Sequence, residues 1–159
     1  VFQSCVLGGT HGSIKAYNYP VTKYTLEKAI NSVISKNSNI KMADTTQQNY
    51  VIDVTGGKRD TLFTKHNNCY VDFSLAINQV VYEYEFQYVG TKEVWDTSKV
   101  SCLSIAYAYD DKYNGGSEGN GGFPWYKPSL KKKLVTVFEN EFINKVDEEL
   151  GLKHTEAED

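Results

Sequence analysis

The stretch Val80–Val89, VVYEYEFQYV, leaves the chain little choice of conformation. Tyr82, Tyr84, Phe86 and Tyr88 alternate with Glu83, Glu85 and Gln87, and only a β-strand puts every second side chain on one face. One face of that strand is aromatic and the other polar, so its sheet is read as antiparallel with one covered face. The same period recurs in Cys69–Ile77 (CYVDFSLAI), where Val71, Phe73, Leu75 and Ile77 alternate with Asp72, Ser74 and Ala76. It recurs again in Lys99–Asp110 (KVSCLSIAYAYD), with Leu103, Ile105, Tyr107 and Tyr109 in phase. Tyr50–Thr55, closed by Gly56-Gly57, and Thr61–His66 are shorter candidates. Asn67-Asn68 can supply the positive φ angles of a tight hairpin leading into Cys69.

Two segments carry the helical period instead. After Pro20, Thr22 is a fair N-cap, and Leu26, Ile30, Val33 and Ile34 share one face of a helix read over 23–36. Val21 and Leu26 take the two places of a hydrophobic staple. A second helix is read over 129–150, with Leu130, Leu134, Val137, Phe138, Phe142, Val146 and Leu150 inward. Gly151 fits the C′ place of a Schellman end, with Leu152 folding back toward Val146. The order α-β-β-β-β-β-α makes this an α+β two-layer sandwich, an antiparallel sheet of about four or five strands covered on one face by an N-terminal and a C-terminal helix. Residues 1–20, with Gly8, Gly9 and Gly12, are read as a flexible tether, 21–152 as one domain, and 153–159 as a frayed acidic tail.

At 159 residues the chain is long enough for one good core. Its net charge of −3 argues against nucleic acid as a main partner. No run approaches the roughly 18 apolar residues of a membrane-spanning helix. Twelve tyrosines against one methionine favour half-exposed strands and contact surfaces.

No catalytic set, metal site or cofactor motif is expected. Cys5, Cys69 and Cys102 are too scattered for zinc, and the bland reading makes the last two small core residues. His11, His66 and His154 have no neighbour at ligand spacing and read as solvated. Asp110, Asn114 and Gly115 sit at the first, fifth and sixth places of a calcium loop, but Lys112 and Gly121 occupy ligand places. Thr55–Thr61 contains Gly-Lys without phosphate-loop spacing and reads as a hairpin turn. Cys69 with His66 and Asp72 fails as a nucleophile set, because in a strand Cys69 and Asp72 point to opposite faces.

Two features point to a contact surface. One is the glycine-rich loop 111–126, carrying Tyr113, Phe123, Trp125 and Tyr126; its rings serve either as a plug for the end of the sheet or as a binding patch. The other is Lys127, Lys131, Lys132 and Lys133 at the start of the second helix, whose end carries Asp147, Glu148 and Glu149. That order opposes the helix dipole at both ends. A solvated face, an acidic partner protein and lipid phosphates are all compatible with the lysines.

Ser4-Cys5, followed by the glycine-rich stretch, resembles the lipobox that ends a bacterial lipoprotein signal peptide, in the looser form ending in Ser-Cys found in Bacteroidetes-like lipoproteins. Phe2 and Gln3 stand where that motif usually has a branched aliphatic and a small residue. The chain begins at Val1 rather than Met and is read as already trimmed. The resemblance implies cleavage before Cys5, acyl chains on Cys5 as a membrane anchor, and a cell-envelope, periplasm-facing address at the outer membrane. It leaves Cys69 and Cys102 as a candidate disulfide, although Cys69 is in phase with Val71 and Cys102 out of phase with Leu103. The expected function is a non-enzymatic envelope lipoprotein that binds or scaffolds another envelope protein. The alternative is a small periplasmic or secreted ligand-binding domain or enzyme using loop 111–126. A deep pocket beside Tyr107, Asp110 and Trp125 would favour the alternative.

Overall fold

The computed structural model describes residues 13–42, 49–54, 58–63, 70–117 and 127–156. Its strands are β1 (Lys15–Tyr19), β2 (Ile40–Met42), β3 (Asn49–Val54), β4 (Lys58–Phe63), β5 (Tyr70–Ile77), β6 (Val80–Tyr88), β7 (Ser101–Tyr109), β8 (Gly115–Gly116) and β9 (Thr155–Glu156). Its helices are α1 (Lys23–Lys36), α2 (Lys92–Thr97), α3 (Pro128–Phe138) and α4 (Asn144–Leu150), the last two joined by one π-helical turn, Glu139–Ile143. The main sheet is antiparallel in the order β2-β5-β6-β7-β1-β9, with β8 added to β7. It is an α+β sandwich, with α1 and the α3–α4 rod on the aromatic face.

The strongest strand signal does what its alternation requires. Tyr82, Tyr84, Phe86 and Tyr88 are all buried, while Glu83, Glu85 and Gln87 turn to the other face. Phe73, opposite Tyr84 across the β5–β6 ladder, lies within 4.8–5.9 Å, ring centre to ring centre, of Tyr84, Phe86, Phe138 and Phe142. The Tyr84 hydroxyl donates to the Leu134 carbonyl at 2.8 Å, which gives a buried polar group its partner and sets α3 over the sheet.

Helix α1 spans the residues its sequence pattern gives, and the Thr22 hydroxyl caps it by accepting from the Thr25 N–H at 3.2 Å. The second helix departs from the reading in its middle. The π turn inserts one residue, so Phe142 and Ile143 are both fully buried, whereas Val137 is only partly covered. Its far end is a Schellman turn: Gly151, at φ 67°, donates to Glu148, and Leu152 donates to the Asp147 carbonyl.

Several expected boundaries are corrected. Lys15–Tyr19, read as part of the tether 1–20, is a sheet strand antiparallel to β7, with Tyr17 and Tyr19 fully buried. Of the segment read as a frayed tail, Thr155 and Glu156 pair with β1, because His154 bonds Asp147 at 2.9 Å and Glu156 bonds Lys15 at 2.7 Å. His154, read as a solvated histidine, also sets its ring edge against Tyr17. The hairpin expected from β4 into β5 is replaced by two other pairings. β3 and β4 pair with each other as a separate two-stranded sheet, and β5 takes β2 and β6 as neighbours. Asn67-Asn68, Gly56-Gly57, His11 and His66 lie outside the described residues.

The most consequential correction is in β7. Phe86 faces Ile105 and Glu85 faces Tyr107, so Ala106 is an extra residue in the ladder, a β-bulge. Leu103 and Ile105 point to the helices as read, but beyond the bulge Ala108 takes the inward place, opposite Tyr84. Tyr107 and Tyr109, read in phase with Leu103, therefore stand on the opposite face, beside Glu85 and Glu83. Truncating Phe73 to Ala removes the ring on which four others converge and is expected to cost about 3–5 kcal/mol in urea unfolding. A cost below about 1 kcal/mol would show that the aromatic layer is not the core.

Candidate functional site

On the sheet face opposite the aromatic layer, β2, β5, β6 and β7 line a cleft of about 440 Å³. Two cross-strand rows build it. Asp72, Glu85 and Tyr107 form the first, and Ser74, Glu83 and Tyr109 the second, with Lys41 paired to Ser74 at the sheet edge. Each residue owes its place to the period-two rule, and the tyrosines owe theirs to the bulge at Ala106.

Asp72 and Glu85 face each other directly across antiparallel strands and share a hydrogen bond. Like charges in that arrangement repel. Burial, reinforced by the hydrogen bond and the charge of Asp72, pushes the Glu85 carboxyl up to about 7. Tyr107 and Tyr109 stand two residues apart on one strand with rings nearly parallel, 7° between planes and 6.4 Å between centres. Both are half-buried and line the cleft. The cleft thus combines hydrogen-bond acceptors, negative charge and aromatic surface in a volume suited to a small ligand or a side chain.

Of the contact residues read from sequence, Tyr113, Lys127, Lys131, Lys132 and Lys133 are not in its lining. Tyr113 is highly exposed in the turn after β7, at φ 57°. That turn is held by Asp110, whose carboxylate accepts from the backbone N–H groups of Lys112 and Asn114 at 2.9 Å each. Although desolvation works the other way, those N–H groups hold the Asp110 carboxyl below its usual range. Its oxygens are engaged by the chain itself, which is what the resemblance to a calcium loop amounts to here. Gly115 is fixed by close approach: a Cβ there would sit 1.9 Å from the Ala108 carbonyl oxygen.

Lys127 and Lys132 are exposed on α3, Lys131 is half-buried, and Lys133 lies 5.7 Å from the centre of the Tyr82 ring. The charge order that opposes the helix dipole is explained at the C-terminal end. Asp147 holds His154, and Glu149 binds Lys36 and Ser32 of α1. Phe123, Trp125, Tyr126, Cys5 and Cys69 lie outside the described residues. Cys102 is buried on the outward side of β7, opposite Asn18 of β1.

A second polar cluster is internal. Lys23, only 4% exposed, pairs with Glu27 at 2.7 Å and lies 4.7–5.3 Å from the ring centres of Tyr88, Trp95 and Tyr24. Its cation is enclosed by the chain's own rings, so the cage ties α1 to β6 and α2 and has no room for a ligand.

The cleft could have been found in the sequence only by knowing the bulge. Without it, Tyr107 and Tyr109 belong to the core and Asp72 and Glu85 are two charges on a solvated face.

Glu85 sets a pH dependence. Its carboxyl goes from an ordinary 4.5 to about 7 on folding. Its contribution to stability is therefore fully present below the unfolded value and is lost as pH rises through about 7. Glu85→Gln, which cannot ionise, is expected to raise the melting temperature at about pH 8 and to change it much less at about pH 5. Equal shifts at both values would contradict the assignment.

No family model matches the chain, no curated protein matches it, and no solved structure matches it.

Proposed function

We propose that this protein is a non-enzymatic binding domain that receives its ligand in the cleft on the sheet face opposite the helices. The observation that carries the reading is the pair Tyr107 and Tyr109. The bulge at Ala106 takes two large aromatic residues out of the core phase of β7 and stands them, ring beside ring, over a row of carboxylates. An apolar core gains nothing from that displacement, whereas a contact surface gains stiff, amphipathic area at low entropic cost. A cleft at the end of β7 favours a bound ligand group over a flat scaffolding face. It lies just before the glycine-rich loop, the region the sequence marked.

The address is a second part of the proposal. Ser4-Cys5 ahead of a glycine-rich segment supports a lipid-anchored envelope protein, which presents the cleft to an envelope component or to a periplasmic ligand.

Both parts are open to direct measurement. In an assigned amide spectrum, titration with a mixed library of short peptides and fragments should move the resonances of Asp72, Glu85, Tyr107 and Tyr109 together. Tyr107→Ala with Tyr109→Ala should abolish the movement while the fold is retained. Responses confined to Tyr113 and the α3 lysines would move the site elsewhere. For the anchor, cells expressing the chain behind its own leader should incorporate a fatty-acid probe, and Cys5→Ala should not. An unlabelled wild-type protein would remove the lipoprotein reading.

A further inference from the structure

The lining of the cleft says more about its ligand than its shape does. Among the described residues, Asp72, Glu83 and Glu85 contribute three carboxylates, and Lys41, exposed at the sheet edge, is the one base in the lining. Resting on the reading of this cleft as the binding site, we propose that it takes an organic cation, a primary ammonium or guanidinium group, held by the carboxylates of Asp72, Glu83 and Glu85 and covered by the rings of Tyr107 and Tyr109.

Two independent features support that chemistry. The first is the opposed pair Asp72 and Glu85, two acids placed where cross-strand neighbours are stable only when unlike or uncharged. A cation between them converts the repulsion into two attractions, and charge-assisted hydrogen bonds to carboxylates are the strong ones. The second is the pair of parallel tyrosine rings lining the same cleft, since a ring face attracts a cation through its quadrupole. The protein already uses this combination inside its fold. Lys23 is held by the carboxylate of Glu27 and the rings of Tyr88, Trp95 and Tyr24. In the cleft, carboxylates and rings are again brought together, and among the described residues only Lys41, at the sheet edge, adds a cation to the lining.

A bare metal ion fits less well. Among the described residues no three His, Cys, Asp or Glu side chains gather closely enough to hold one, and a space of about 440 Å³ is far larger than an ion needs. It accommodates an alkyl stem with its charged head, as on a lysine or arginine side chain or a linear polyamine.

Binding is expected to depend on pH through Glu85. Among the described residues, the charged and titratable groups that line the cleft with it are Asp72 on β5, Glu83 on its own strand, Tyr84 beside it, Tyr107 and Tyr109 on β7, and Lys41 on β2. Since the Glu85 carboxyl titrates at about 7, it passes from mostly protonated to mostly ionised across neutral pH.

The test is an amide-resolved titration of the whole chain with four probes: spermidine, the peptide N-acetyl-Gly-Lys-Gly-amide, its neutral counterpart N-acetyl-Gly-norleucine-Gly-amide, and maltose. The amines should shift Asp72, Glu85, Tyr107 and Tyr109. Their affinity should be roughly tenfold higher at pH 8 than at pH 6, the ratio of ionised Glu85 at the two values. Glu85→Gln should remove that ratio, and Lys41→Ala should tighten binding. Lys132→Ala, away from the cleft, should leave it unchanged. Preference between spermidine and the lysine peptide separates a free polyamine from a basic segment of a partner protein. Equal binding of the norleucine peptide, an absence of pH dependence, or shifts at the cleft with maltose alone would overturn the cationic class while leaving the site in place. Shifts confined to α3, with the cleft silent, would overturn both.

Discussion

The extra residue at Ala106 is the constraint on which the rest of the outward surface depends. A strand that kept strict alternation from Leu103 to Tyr109 would press both terminal tyrosines against α3, where Tyr84 already reaches the Leu134 carbonyl. By absorbing one residue, β7 puts the small Ala108 into that crowded layer and swings Tyr107 and Tyr109 to the other side. Close packing leaves no slack for two more ring-sized side chains, so the bulge and the aromatic core determine each other. The narrowing continues past the strand. Beyond the edge that β1 covers, Gly115 pairs with Tyr109 and Gly116 with Ala108, at an approach that only glycine permits at position 115.

The other side of the sheet is held by a different kind of bond. The C-terminal acids are placed for tertiary reasons, against the local preference of the helix. Glu139, in the π turn, accepts from Tyr17 and pairs with Lys15, while Asp147 and Glu149 fasten β9 and α1. The π turn brings both Phe142 and Ile143 to the core at the point where Glu139 meets β1. Each exposed pair contributes little by itself. Together they close the two chain ends, β1 and β9, onto the same edge of the sheet.

These features divide what the sequence shows from what it hides. Alternation in β5 and β6, the cap at Thr22 and the Schellman end at Gly151 are local devices. Residues within a few positions of each other dictate them, so the α+β class and the face of each helix are legible. Strand β1 is hidden because Tyr17 and Tyr19 follow a glycine-rich stretch that dominates any local reading, and their burial comes from β7, far along the chain. Strand β9 is hidden for the same reason, since two residues become a strand only when His154 finds Asp147. The cleft was invisible because a bulge leaves no mark in composition. KVSCLSIAYAYD reads as unbroken alternation, and only the facing strand shows where one residue drops out of register.

What the fold gives up at the cleft is the strongest argument that the cleft is used. A sheet face open to water could carry a lysine or a threonine opposite Glu85 and gain a favourable cross-strand pair. This one carries Asp72, and the same sheet elsewhere matches Lys15 to Glu139 and Glu156. Half-burial makes the mismatch costlier, because the charged form of Glu85 loses hydration that its neighbours do not replace. The chain also encloses Lys23 with an acid and three rings, whereas among the described residues no lysine or arginine pairs with Asp72 or Glu85. Local conflict between stability and sequence is where function is expected in an otherwise consistent fold. Here that conflict coincides with the two tyrosines the bulge has turned outward, and a cation from outside the chain resolves it.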